Sequence, residues 1–142
     1  MAFSRRYWLV LALCLALQGL GQVRADLVVL HTNDVHCGVE NQLGYAQLAQ
    51  YKKDLMKNPD DTVQLVDAGD AIQGEPLGSL TRGQAVIDIM NVAGYDFAIP
   101  GNHEFDYGVA RLLELAPQLA GGYYSCNLVD LRTGKTVFPP YK

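Results

Sequence analysis

The sequence predicts an α/β fold in which helices cross over between the strands of a parallel sheet. Three observations predict it. Short apolar runs rich in β-branched residues alternate with longer stretches whose apolar residues recur at helical spacing. Turn-forming and helix-stopping residues fall between these segments rather than inside them. The residues that follow the apolar runs include Asp, His and Asn, at the carboxyl ends of strands where ligands collect in open parallel sheets.

Leu27–Thr32 (Leu-Val-Val-Leu-His-Thr) reads as a first strand covered on both faces. From Gly44 to Lys57, Tyr45, Leu48, Ala49, Leu55 and Met56 share one helical face, and Asn58-Pro59-Asp60-Asp61 stops the run. Thr62–Asp67 is the second strand. Val86, Ile89, Met90 and Ala93 form a second helical stripe closed by Gly94. Phe97–Pro100 is a third, short strand. Val109, Leu112, Leu113 and Ala116 give a third helical face that Pro117 ends or kinks. Tyr123–Leu128 reads as a fourth strand, and Thr133-Gly134-Lys135 as a turn into another around Val137. This βαβαβαβ order implies right-handed crossovers. The tail Pro139-Pro140-Tyr141-Lys142 adds no closing element, so the sheet reads as unfinished.

The segment 1–25 is set apart from the fold. Arg5 and Arg6 precede the apolar run Tyr7–Leu17, and Val23-Arg24-Ala25 follows, the layout of a cleavable signal peptide. Export to a periplasm or the extracellular space is therefore expected. The apolar run is well short of the ~20 residues that span a bilayer, so no stable membrane anchor is expected. Ser4-Arg5-Arg6-Tyr7-Trp8-Leu9 fits a twin-arginine signal and equally an ordinary basic leader. Cys14 lies inside the apolar run and is treated as leader.

Three of the 11 basic residues are in that leader, leaving eight against 15 acids in 26–142, a formal −7. Such a balance argues against a nucleic-acid polymer as partner, which a basic face would have to meet. It leaves room for a phosphate substrate if metal ions supply positive charge. Of the two remaining cysteines, Cys126 is expected as a small core residue at the end of the fourth strand. Cys37 follows a candidate ligand and is a minor candidate to join it.

The chemistry is concentrated at the strand ends. Asn33-Asp34-Val35-His36 follows the first, Ala68-Gly69-Asp70 the second, and Gly101-Asn102-His103-Glu104-Phe105-Asp106 the third, while Asn127 lies at the end of the fourth. Asp34-x-His36 offers a hard carboxylate and an imidazole from one short loop. Asp70 follows a glycine that lets the backbone turn sharply. Asn102 can offer its amide oxygen to an ion. His103 and Asp106 can pair so that the carboxylate orients the ring and favours its protonated form. Asp34-x-His36 and Gly69-Asp70 are weak signals alone and the block from Gly101 to Asp106 is more specific; folding gives no reason for all of them to gather at one edge.

Asp34-x-His36, Gly69-Asp70 and Gly101-Asn102-His103-Glu104, in this order, resemble the first three blocks of the calcineurin-like metallophosphoesterases. Leu-His-Thr-Asn-Asp-Val-His, Asp-Ala-Gly-Asp-Ala-Ile-Gln-Gly and Gly-Tyr-Asp-Phe-Ala-Ile-Pro-Gly-Asn-His-Glu-Phe-Asp-Tyr-Gly are similar to the 5'-nucleotidase branch, which includes UDP-sugar hydrolases and 2',3'-cyclic-nucleotide phosphodiesterases. The resemblance runs from about Leu27 to the end. It implies a layered α/β/β/α sandwich of which residues 26–142 form the N-terminal part. It also implies two divalent metal ions (Mn, Zn, Co or Fe), with Asp34 and His36 on one, Asp70 bridging both and Asn102 on the second. His103, backed by Asp106, would act on the phosphate of a small nucleotide substrate.

On that reading Asp34 and Asp70 bring −2 against +4 from the ions, so the centre stays positive enough to hold a phosphate dianion. Asp67 and Asn127 have no clear assignment and are taken as structural or as supports for the ligands, and His31 is expected to be a hydrogen-bonded core residue. The resemblance also calls for later histidine ligands, whereas the sequence has only His31, His36 and His103. These 142 residues are therefore expected to show little or no turnover alone. Two other readings remain open. One is a related hydrolase acting on cyclic nucleotides, UDP-sugars or a sulfur ester; the other is a metal-binding module without catalysis.

Overall fold

The computed structural model describes residues 25–40 and 43–142, so the expected signal peptide up to Arg24, with its arginine pair and Cys14, lies outside the described residues. A three-stranded parallel sheet of order β1-β2-β3 forms from β1 (Leu27–Thr32), β2 (Thr62–Asp67) and β3 (Phe97–Ala98). Leu27 pairs with Thr62 and Thr32 with Asp67, so the carboxyl ends of β1 and β2 lie side by side. Parallel pairing requires a crossover between successive strands. Helix α1 (Gly44–Leu55) joins β1 to β2, and α2 (Pro76–Thr81) with α3 (Gln84–Ala93) joins β2 to β3. The short α2 carries no apolar stripe that would announce it, although Pro76 in its first turn is a usual helix starter.

The core lies between the sheet and the helices. Leu65, Ile72, Val86, Ile87, Met90, Leu112 and Leu115 are all at or below 1% exposure. The alternation of apolar runs and helical stretches therefore places every strand and the longer helices correctly up to β3, but the facing of several elements differs from expectation. In α3 Ile87 is fully buried along with Val86 and Met90, whereas Ile89 is only half-buried. In α4 (Val109–Leu115) the core takes Leu112 and Leu115, while Val109 and Leu113 are exposed. In α1 Met56 lies past the end and is exposed; Lys52 takes the inward position instead, donating to Asp96 Oδ2 and Gly94 O. Short helices admit more than one phase of the same apolar pattern, and packing selects one.

Three further expectations are corrected. β1 is not covered on both faces: it is the edge of the sheet, and Leu27 and Val29 are exposed because nothing among the described residues lies over them. His31 is exposed rather than a bonded core residue. The fourth strand does not form. Tyr123 makes a single parallel bridge to Ala98 and Tyr124 N–H donates to Ala98 O, but Ser125 N–H then donates to Pro139 O and the chain leaves the sheet. The Ser125 hydroxyl bonds Asn127 Oδ1 and accepts the Leu128 N–H, closing a turn where continued pairing was expected. Cys126, at that turn, is consequently exposed. The turn around Gly134 does join two strands, β4 (Val129–Asp130) and β5 (Lys135–Thr136), but as a small antiparallel pair of their own.

Candidate metal centre

Three loops meet at the carboxyl edge of the sheet. The loop after β1 is laced to the loop after β2 by backbone bonds from Asp34 N–H to Gly69 O, His36 N–H to Asp70 O and Cys37 N–H to Ala71 O, each 3.0 Å. Strand-like pairing thus continues past the strands and carries Asp34 and His36 alongside Asp70. The loop after β3 approaches so closely that a side chain on Gly69 would put its Cβ 2.6 Å from Gly101 N, and one on Gly101 would collide with the Asp70 carboxylate. The two glycines at these positions are what allow the loops to touch.

This closeness brings ligand atoms of His36, Asp70 and His103 within 4.8 Å of one another. The His36 and His103 rings stand edge to face with centroids 5.0 Å apart. His36 Nδ1 lies 3.1 Å from Gln73 O. A carbonyl only accepts, so Nδ1 carries the proton and Nε2 is left as the ligand atom, the usual arrangement behind a metal-bound imidazole. His103 Nδ1 is bonded to Asp106 Oδ2 at 2.8 Å, which leaves its Nε2 free. Asp106 raises the His103 pKa chiefly through that hydrogen bond; desolvation, the next-largest influence, opposes the rise, and the charges of Asp106, Asp70 and Glu104 add to it. Asp70 Oδ1 accepts the His103 backbone N–H at 2.7 Å.

Asp34 and Asn102 sit at the rim. Both are exposed; Asp34 Oδ2 accepts from Asn33 Nδ2 at 2.6 Å and lies outside the His36–Asp70–His103 group. Asn102 directly precedes the 3₁₀ turn His103–Phe105. An open cleft of about 430 Å³ borders Asp34, lined by Thr32, Asn33, Tyr45, Leu48 and Tyr95, to one side of the histidine pair. Asn127 is engaged with Ser125. Cys37 is no ligand here: it is 2% exposed, its Sγ donates to Ala71 O, and burial pushes its thiol up to about 11.

Asp34, His36 and Asp70 all have positive φ, at 54, 47 and 61°. Each such backbone costs on the order of 1–3 kcal/mol and persists only where its surroundings over-determine it. Asp67 and Glu104 lie beneath the same loops, 1% and 0% exposed, and Asp70 is 9% exposed. Among the described residues no Lys or Arg pairs with these three acids. Buried negative charge without a cationic side chain, next to free imidazole nitrogens, fits a divalent cation, and the mixed oxygen and nitrogen donors suit Mn, Zn, Co or Fe.

The chain-wide pattern agrees with this geometry, for the profile of calcineurin-like phosphoesterases matches residues 27–140. The chain belongs to the calcineurin-like phosphoesterase family. Among the proteins it resembles, the snake venom 5'-nucleotidase of Gloydius brevicauda is 40% identical over 63% of this chain and 17% of its own length. The 2',3'-cyclic-nucleotide 2'-phosphodiesterase/3'-nucleotidase of Yersinia enterocolitica is 33% identical over 82% of this chain and 20% of its own. The solved calcineurin-like phosphoesterase YfkN of Bacillus subtilis superposes with a TM-score of 0.68 at 29% identity, covering 82% of this chain and 41% of that one. The chain thus has the calcineurin-like phosphoesterase fold and spans about a fifth of the length of these curated relatives.

Glu104 is the residue that sequence reasoning passed over. It lies within the third block, yet nothing in its neighbours told an inward acid from an outward one. Inside the 3₁₀ turn it is fully buried, whereas the adjoining His103 side chain is partly exposed.

Proposed function

We propose that this chain carries part of the catalytic site of a metal-dependent nucleotide phosphohydrolase of the 5'-nucleotidase type, exported from the cytoplasm. The observation that carries this reading is the meeting of His36, Asp70 and His103 from three loops, with His103 held by Asp106. His36, through Nε2, and the Asp70 carboxylate would hold a divalent ion, with Asp34 and Asn102 at the rim completing the sites of a pair. Two such ions, when bound, supply positive charge for the phosphoryl oxygens and make a water nucleophilic.

The chain's own residues do the rest. Asp106 keeps His103 oriented and favours its protonated form, in which Nδ1–H stays on the carboxylate and Nε2–H faces the phosphate. From there it neutralises charge developing on a phosphoryl oxygen or hands its proton to the departing alkoxide. The His103 backbone N–H fixes Asp70, so one residue both orients a ligand and presents the acid. The nucleotidase names of the relatives support a nucleotide as substrate, with a cyclic nucleotide or UDP-sugar as the alternative.

The test is titration of metal-stripped protein with Mn²⁺, followed by assay on 5'-AMP and on an aryl phosphate. His36→Ala and Asp70→Asn should each weaken Mn²⁺ binding at least about tenfold, His103→Ala should weaken it less, and turnover by this chain alone should be little or none. Mn²⁺ affinity indifferent to both ligand substitutions would sink the reading.

A further inference from the structure

Glu104 is the one fully buried acid among the described residues that the proposed reaction leaves unused and that bridges two loops. One of its oxygens, Oε1, accepts the N–H groups of Ala71 at 2.8 Å and Ile72 at 3.3 Å. The other, Oε2, accepts those of Asp70 at 2.8 Å and Gly101 at 2.6 Å. A single carboxylate therefore gathers four backbone donors from two loops, and Oε2 alone joins the loop after β2 to the loop after β3.

We propose that Glu104 is a positioning residue, a strut whose carboxylate sets the spacing of Asp70 and His103 and so the affinity of this site for a divalent cation. The proposal rests on the metal-site reading above. Asp70 is held in a left-handed conformation that is costly by itself. It is pinned at two points, its N–H on Glu104 and its Oδ1 on the N–H of His103, the residue next to Glu104. Movement of Glu104 thus moves a ligand carboxylate and an imidazole together.

Bulk packing does not account for this choice of side chain. An apolar residue of similar volume would fill a buried site at no electrostatic cost, whereas Glu104 adds a third buried carboxylate beside Asp67 and Asp70. A carboxylate is selected because it offers only acceptors, about four lone-pair directions for four N–H groups. Glutamine keeps the shape but replaces one oxygen with an NH₂ that faces donors, so two of the four N–H groups lose their acceptor whichever way the amide is turned.

Glu104→Gln in the full chain is the test, read in two ways. In metal-free protein, amide hydrogen exchange at Asp70, Ala71, Ile72 and Gly101 should speed up at least about tenfold more than at core amides such as Leu65. Calorimetric titration should show Mn²⁺ binding weakened roughly ten- to hundredfold, the usual effect of losing a group that orients metal ligands. Val86→Ala, in a core helix away from the loops, controls for general destabilisation and should leave Mn²⁺ affinity unchanged. If Glu104→Gln does not fold, Glu104→Asp replaces it, since a side chain one methylene shorter cannot reach both loops; the same two shifts are expected. Unchanged exchange at the four amides, or Mn²⁺ affinity equal to that of wild type, overturns the strut. Wild-type protein that binds no Mn²⁺ at all overturns the metal-site reading instead, and the exchange data then decide whether Glu104 ties the loops.

Discussion

Asp67 offers a prediction whose sign runs against the usual behaviour of carboxylates. It is 1% exposed, and burial, the largest influence, pushes its pKa up from 3.8 to about 6, with Glu104 and Asp70 adding to the rise. Hydrogen bonds from the Thr32 hydroxyl at 2.6 Å and the Gly69 N–H at 2.9 Å pull the other way without overcoming it. Between those two pH values the folded protein holds a proton that the unfolded chain has released, so stability falls as pH rises. The favourable contribution is complete below about pH 3.8 and is lost by the time pH passes about 6. At about 1.4 kcal/mol per pH unit, the whole interval amounts to about 3 kcal/mol. An asparagine in place of Asp67 would keep an acceptor for the Gly69 N–H and could donate to the Thr32 hydroxyl, while removing the titration. The stability difference between Asp67→Asn and wild type should therefore move by about 3 kcal/mol in favour of the variant between about pH 4 and pH 7. Urea unfolding at half-unit pH steps with a chelator present measures it. A difference that stays flat across that range, or that grows toward acid, would refute the burial argument.

Asp106→Asn removes the main influence that raises the His103 pKa, so the imidazole should lose its proton at lower pH than in wild type. NMR titration of the metal-free protein shows this directly. Gly69→Ala forces a side chain into φ +109° and against Gly101 N; a loss of about 3 kcal/mol is expected in chemical unfolding, together with weakened Mn²⁺ binding. Lys52→Met leaves Asp96, which also accepts the Leu65 N–H, without its cation. Because Asp96 is partly exposed, the expected loss is about 2 kcal/mol, short of the full cost of a buried orphan charge, and Mn²⁺ affinity should not change.

The α/β class, the bounds of β1 and β2, and the residues that stand at the strand ends are all legible in the amino-acid order. Those features rest on local chemistry: β-branched runs, helical spacing, and the succession of Asp34, His36, Asp70 and the block from Gly101 to Asp106. The His103–Asp106 pair is legible for the same reason, since three residues within one turn cannot place the side chains far apart. The inward phase of each short helix is not, because Ile87 and Ile89, or Leu113 and Leu115, satisfy the apolar pattern about equally until a neighbour is present; packing in three dimensions makes that choice. The same holds for the departure of Tyr123–Leu128 from the sheet, where Ser125 finds partners in Pro139 and Asn127 that no local pattern announces. The role of Glu104 was hidden for the deepest physical reason. Three of its four partners are backbone N–H groups on a loop more than 30 residues away in the chain, and backbone donors, common to nearly every residue, carry no signature in an amino-acid sequence.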